Sequence, residues 1–200
     1  MLVHSLTTLS VCPYRFVSVQ AFCIVVALGL LGTEDGVRAI SLQQLKSHSG
    51  WANDWDGWLA FTCRPGEAIN AIYSVHNNHR EDRRWKLGCE HVPQLSGRCR
   101  WSPNWVNDFD GIMDFTCPGN GVITGWQGYH NNHREDRRFK FRCCDMDVGL
   151  RDCSWSGDAN GWDGELGFQT SGNRVLHGVY SRHNNRREDR LFRFNQCRRG

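Results

Sequence analysis

A ten-residue phrase recurs three times in this chain: HNNHREDRRW at 76–85, HNNHREDRRF at 130–139 and HNNRREDRLF at 183–192. The spacing of about fifty-four residues makes internal repetition the strongest constraint on the fold. Around the phrases lie three repeats, 47–90, 99–144 and 153–197. Each opens on an Asp-Gly turn, at Asp56, Asp110 and Asp163. Each closes on a stretch such as RRWKLGC, RRFKFRC or RLFRFNQ, in which apolar and polar residues alternate with period two. Trp85, Leu87 and Cys89 are expected on one strand face, Lys86 and Gly88 on the other. Asp-Gly suits tight turns between strands, and no helical periodicity appears beyond the N-terminal segment. The pattern predicts an all-β protein: three repeats in one compact, disulfide-braced pseudo-threefold domain at 47–197, such as a trefoil or prism.

The cysteines support this frame. Cys89 and Cys143 lie seven residues after Asp82 and Asp136, and Cys63 and Cys117 lie twenty-six residues before those cysteines. Cys144 and Cys197 lie eight residues after Asp136 and Asp189, while Cys99 and Cys153 each open a Cys-x-Trp. Repeat one lacks both members of the second class, with Leu45 and Glu90 in their places. Repeat three lacks both members of the first, with Thr170 and Gln196 there. A class that disappears as a pair behaves like bonded partners. The offsets therefore single out Cys63–Cys89, Cys117–Cys143, Cys99–Cys144 and Cys153–Cys197 from the roughly 105 pairings open to eight cysteines.

Disulfides imply export. The apolar run AFCIVVALGLL at 21–31 follows Arg15, has the length of a signal h-region and is short for a membrane span. A signal peptide is expected over 1–39, with cleavage between 32 and 40, and a short membrane anchor is the alternative. After its removal no membrane insertion is expected, and the place of oxidised protein is extracellular. The net charge of +3 does not call for nucleic acid.

Three readings of the phrase compete. As scaffold, Asn77-Asn78 and their copies form turns, Asp82, Asp136 and Asp189 pair charge or cap amides, and Trp85, Phe139 and Phe192 plug the core. As a metal site, His76 and His79 would join Glu81 and Asp82, but repeat three places Arg186 where a histidine should stand; no metal is expected. As a polyanion surface, Arg80, Arg83, Arg84, Arg134, Arg137, Arg138, Arg186, Arg187 and Arg190 offer guanidinium forks to sulfate or carboxylate, in three copies that act together. Nine Trp add a fourth surface: most belong to the core, and one or two beside the Asp-Gly turns are placed to stack on sugar rings. No nucleophile elbow, zincin motif or phosphate loop is present, so neither an enzyme nor a cofactor is expected.

EDRRWKLGC, EDRRFKFRCC and EDRLFRFNQC, with the cysteine frame, make the chain resemble the dermatopontin family over nearly all of residues 50–197. HNNHRED and NDWDG look closer to the branch containing hemagglutinin/amebocyte aggregation factor than to vertebrate skin dermatopontin. The resemblance implies a secreted, non-enzymatic matrix adhesion protein. Its implied partners are proteoglycans, glycosaminoglycans, collagen or cell-surface glycans, with cell attachment, collagen fibril organisation and self-association among its roles. The alternative is a soluble lectin that cross-links cells in defence.

Overall fold

The computed structural model describes residues 40–200, so the expected leader lies outside the described residues. Each repeat contributes one long antiparallel hairpin. β2 (Glu67–Asn77) returns as β3 (Asp82–His91), β6 (Gly121–Asn131) as β7 (Asp136–Met146), and β10 (Arg174–Asn184) as β11 (Asp189–Arg199). The repeated phrase supplies the turn and the start of the returning strand. Asn77 Oδ1 accepts the amides of His79 and Arg80 at 2.9 and 3.1 Å, and Asn131 does the same for His133 and Arg134. A bulge interrupts each pair at the same place, between Ile69 and Ala71, Ile123 and Gly125, and Leu176 and Gly178.

Three short strands, β1 (Leu59–Thr62), β5 (Met113–Thr116) and β9 (Leu166–Gln169), decide the architecture. None pairs with the hairpin of its own repeat. β1 adds to β6 of repeat two, β5 to β10 of repeat three, and β9 to β2 of repeat one. The exchange is cyclic, so each repeat completes the next sheet around a pseudo-threefold axis. A Cβ on Gly178 would stand 2.7 Å from the Phe115 carbonyl oxygen, which is why a side chain is excluded where β5 docks.

The axis is filled by aromatics. Trp85, Phe139 and Phe192 are buried with ring centroids 5.1 to 6.1 Å apart and planes at 80 to 82°, a mutual edge-to-face trio. Trp126, Phe141 and Phe194 pack around it. Such pairs add about 0.5–1.5 kcal/mol beyond burial, and no repeat has enough apolar surface to form this core alone.

β4 (Leu95–Trp101) and β8 (Leu150–Trp155) extend two of the sheets, giving strand orders β1-β6-β7-β4, β5-β10-β11-β8 and β3-β2-β9. Four disulfides join Cys63 to Cys89, Cys117 to Cys143, Cys99 to Cys144 and Cys153 to Cys197. The 63–89 and 117–143 bridges tie the end of an exchanged strand back to its own hairpin. The other two staple β4 and β8 to the returning strands. In repeat three Thr170 replaces the cysteine and keeps only the backbone bond that all three repeats share: the amides of Cys63, Cys117 and Thr170 donate to Thr124, His177 and Asn70 O, each at 2.9 Å.

Repeat one departs from the sequence expectation. A helix, α1 (Leu42–His48), stands where β4 and β8 stand in the other repeats. It is seven residues long, too short to show a period, and its only sequence signal is the capping box between Ser41 and Gln44. Helix α1 brings Leu45 onto the outer face of β2 and β3, with Ile40 lying where a Cβ on Gly88 would be. Consequently Lys86 and Gly88, on the strand face opposite Trp85, are covered as well. The Lys86 ammonium donates to Lys46 O at 2.6 Å and lies 4.9 Å from the Trp51 ring centroid.

Phe139→Ala should cost about 3–5 kcal/mol in oxidising chemical denaturation, because the trio has no room to collapse. An effect under about 1 kcal/mol would show that the three rings do not act as one core.

Candidate functional site

Where the hairpin tips gather, the charged half of the phrase closes the ring. Arg83 donates through Nε and Nη2 to both carboxylate oxygens of Asp189, at 2.6 and 2.7 Å. Arg137 does so to Asp82 at 3.0 and 2.7 Å, and Arg190 to Asp136 at 2.6 and 2.7 Å. Every fork therefore crosses to the preceding repeat. The same arginines reach the turn glycines there, donating to the carbonyls of Gly164, Gly57 and Gly111 at 2.8 to 3.0 Å. Each aspartate also accepts an amide of its own repeat's Asp-Gly turn: Asp56 N to Asp82, Asp110 N to Asp136, Asp163 N to Asp189, all at 2.8 or 2.9 Å.

Asn53, Asn107 and Asn160 complete the unit. Their amides donate to the carbonyls of Arg83, Arg137 and Arg190, and their carbonyls accept from Trp85, Phe139 and Phe192 N, at 2.9 or 3.0 Å. These asparagines are not among the residues expected from the repeated phrase, although each stands three residues before its Asp-Gly aspartate.

These contacts correct one expectation. Arg83, Arg137 and Arg190 are not part of a polyanion surface: they are at most 5 % exposed and their forks are filled by aspartate. Asp82, Asp136 and Asp189 are buried beside them, so the Asp-Arg-x-aromatic core of the phrase is scaffold. Burial pushes the Asp189 carboxyl upward, but hydrogen bonds from His76 and Arg83 and the Arg83 charge outweigh it and hold it well below the usual range.

Inside the ring a cavity of about 20 Å³, room for one water, is lined by His76, His130, His183 and Glu81, Glu135, Glu188. The histidine side chains are at most 1 % exposed and lie 3.8, 3.5 and 3.6 Å from the glutamate of their own repeat. Desolvation lowers the His130 pKa against the pull of Asp82. Desolvation, reinforced by the neighbouring carboxylates, raises Glu135 and Glu188. Asp56, Asp82 and His130, and likewise Asp110, Asp136 and His183, bring donor atoms within 4.8 Å of one another. A cation there would have to displace the Arg137 or Arg190 fork, so the geometry favours ion pairing over metal binding.

The remaining arginines face outward. Arg80, Arg134 and Arg187 at the tips are 59, 63 and 56 % exposed, each loosely paired with Asp56, Asp110 or Asp163 at 3.3, 3.5 and 3.0 Å. Arg186 is exposed beside Arg187, and the tips of repeats one and three flank a cleft bounded by Asn78, Glu81, Asn184 and Arg186. Arg84 lies over Trp51 and Trp55, and Arg138 over Trp105 and Phe109.

The Dermatopontin family model matches residues 53–200, the span that holds all three hairpins and the ring. The chain belongs to the dermatopontin family. It is 43 % identical over 162 residues to the hemagglutinin/amebocyte aggregation factor of Limulus polyphemus, covering 80 % of this chain and 93 % of that protein. A dermatopontin of Biomphalaria glabrata is 38 % identical over 139 residues, with 69 % of this chain and 93 % of that protein covered. Human dermatopontin is 29 % identical over 102 residues, 49 % of this chain and 50 % of that protein. No solved structure matches. For a dermatopontin-family chain, the ring explains why Asp-Arg and an aromatic recur together.

Arg137→Met should destabilise the protein by about 3–5 kcal/mol in urea, since Asp82 is left buried and unpaired; a loss below 1 kcal/mol would mean that the ring does not carry the fold. His130 adds a pH dependence. The unfolded chain takes its proton near the ordinary value of about 6.5, while the folded ring resists it. Stability should fall as pH drops below that value. Denaturation at pH 7.5 and 5.5 should show a shallower pH slope in His130→Gln; identical slopes would exclude His130 as the origin.

Proposed function

We propose that this protein is a secreted, non-enzymatic adhesion protein that binds glycosaminoglycan or proteoglycan through the exposed tip arginines and so supports cell attachment and collagen fibril organisation in the extracellular matrix. The observation that carries this reading is the split among the arginines. Three are spent closing the ring, while Arg80, Arg134, Arg186 and Arg187 are left in solvent on tips that the ring holds at fixed separations. A repeating polyanion meets several of them at once, so weak contacts combine. The rigid ring removes the cost of ordering the tips on binding. The family supports the extracellular setting, and four disulfides suit it.

A second reading, a soluble lectin that cross-links cells in defence, is favoured by the 43 % identity to a protein named for hemagglutination and amebocyte aggregation. Cross-linking would use the repeats of one chain or self-association. Agglutination blocked by a simple sugar would select this reading; salt-sensitive heparan sulfate binding with co-deposition on collagen would select the first.

The oxidised protein should be retained on heparin and released by about 0.5–1 M salt. The triple variant Arg80→Ala, Arg134→Ala, Arg187→Ala should elute at lower salt with an unchanged melting temperature. Co-elution of the triple variant with the parent protein would rule out the tips as the binding edge.

A further inference from the structure

The outer faces of the three sheets serve as internal controls for one another. In repeat one the chain covers its own face: Ile40, Leu42, Leu45 and Trp51 pack on Ala71, Tyr73 and Val75. Tyr73 Oη donates to Glu165 at 2.9 Å, and Lys46 closes over the same carboxylate at 3.1 Å. On sheet β1-β6-β7-β4 no helix among the described residues lies over the equivalent face, and of the cover seen in repeat one it keeps Trp105, at the position of Trp51. There Trp58 is 53 % exposed and Tyr129 is 43 % exposed. The register of β1 on β6, with Leu59 opposite Gly128, places Trp58 beside Tyr129. Trp105 joins them, 5.9 Å from Trp58 and 6.4 Å from Tyr129 between ring centroids.

Repetition shows that the fold does not need these aromatics. At the position of Trp58, two residues after the turn aspartate, the other repeats carry Ile112 and Glu165. At the position of Tyr129 they carry Val75 and Arg182. The scaffold accepts an aliphatic, an acid or a cation at these places. Yet between repeats one and two both positions are aromatic, and both are left in water.

We infer that Trp58, Trp105 and Tyr129, edged by Arg138 and Lys140, form a binding site for an acidic pyranose. An aromatic face packs against the C–H side of a sugar ring. The cations set the charge of the ligand: the Arg138 guanidinium lies 5.8 Å from the Trp105 centroid and the Lys140 ammonium 5.5 Å from it. Arg138 Nε donates to Asn107 O at 3.2 Å and Lys140 Nζ to Pro103 O at 3.1 Å, which holds both cations at the edge of the rings. The other Arg138 contact, Nη2 to Asp108 at 3.1 Å, is to a carboxylate 89 % exposed, and that is the one a sugar carboxylate or sulfate would replace. A neutral sugar would leave this positive edge unused, and an acidic one fits both halves. The site deepens the glycan-adhesion reading and rests on it.

The repeats themselves supply the test variant, Trp58→Ile with Tyr129→Val, residues already carried at the equivalent positions. Tryptophan fluorescence and calorimetry on the oxidised protein would follow a heparan sulfate hexasaccharide in one arm and a sialylated trisaccharide in the other. The double variant should bind the acidic saccharide roughly tenfold more weakly, two stacking contacts having been lost, with melting and sedimentation unchanged. The arm that responds says whether the acid is a uronate and sulfate or a sialate. Parent-like affinity in the double variant overturns the site. If affinity holds while a dimer becomes a monomer, the face is a self-association surface and the site is likewise overturned. If the tip-arginine triple variant loses binding and the double variant does not, the adhesion reading stands and this site falls. If the parent protein binds neither saccharide, both fall.

Discussion

Everything else in the fold depends on one contact made three times, a buried guanidinium gripping the carboxylate of the preceding repeat. Taking these ions out of water costs several kcal/mol each, and the fork offsets it with the help of further hydrogen bonds at both of its ends. Each aspartate also holds its own turn amide, and each arginine also holds the neighbouring turn carbonyl. The contact is therefore less a source of stability than a device for register. A repeat placed one step wrong would bury an unpaired charge, and the exchanged strands β1, β5 and β9 would have no docking partner. The aromatic trio lies directly beneath, on the strand that carries the arginine, so ion pairing and core packing are satisfied by the same arrangement or by neither.

Rigidity at the axis has a consequence at the surface. The loops that bear Arg80, Arg134 and Arg187 also carry Glu81, Glu135 and Glu188 in left-handed backbone, at φ 43 to 45°, where a glycine would cost less. The loops stay in this form because the ring beneath them is closed and the Asn77, Asn131 and Asn184 side chains fix the turns. Adhesion through many weak contacts benefits, since the cost of ordering is met on folding and the separations between cationic points are constant. Disulfides work at a different level. They bind each exchanged or added strand to its hairpin and limit the freedom of the unfolded chain.

Much of this was readable in advance, and particular residues show why. The cysteine classes are readable because each is missing as a pair from one repeat, at Leu45 and Glu90 and again at Thr170 and Gln196. The β character was readable from period-two alternation. The fate of the arginines differs from the surface role their charge suggests, although alternation contains the clue. Arg83 shares a strand face with Trp85, and so do Arg137 with Phe139 and Arg190 with Phe192, which points all three inward. Charge by itself points to the surface, and the aspartates that receive the forks stand fifty-four to one hundred and six residues away. Helix α1 could not be read from periodicity because seven residues hold barely two turns.

The sequence by itself determined the three β repeats, their cysteine frame and the turn residues, because these follow from alternation, spacing and local backbone chemistry that act within a few residues. Only the tertiary structure decided that the short strands exchange cyclically. It alone decided which arginine of each adjacent pair is buried and which aromatics are left in water. Those outcomes depend on which repeat lies next to which, and a buried charge or a packed ring finds its partner across the axis, at distances along the chain to which no local pattern is sensitive.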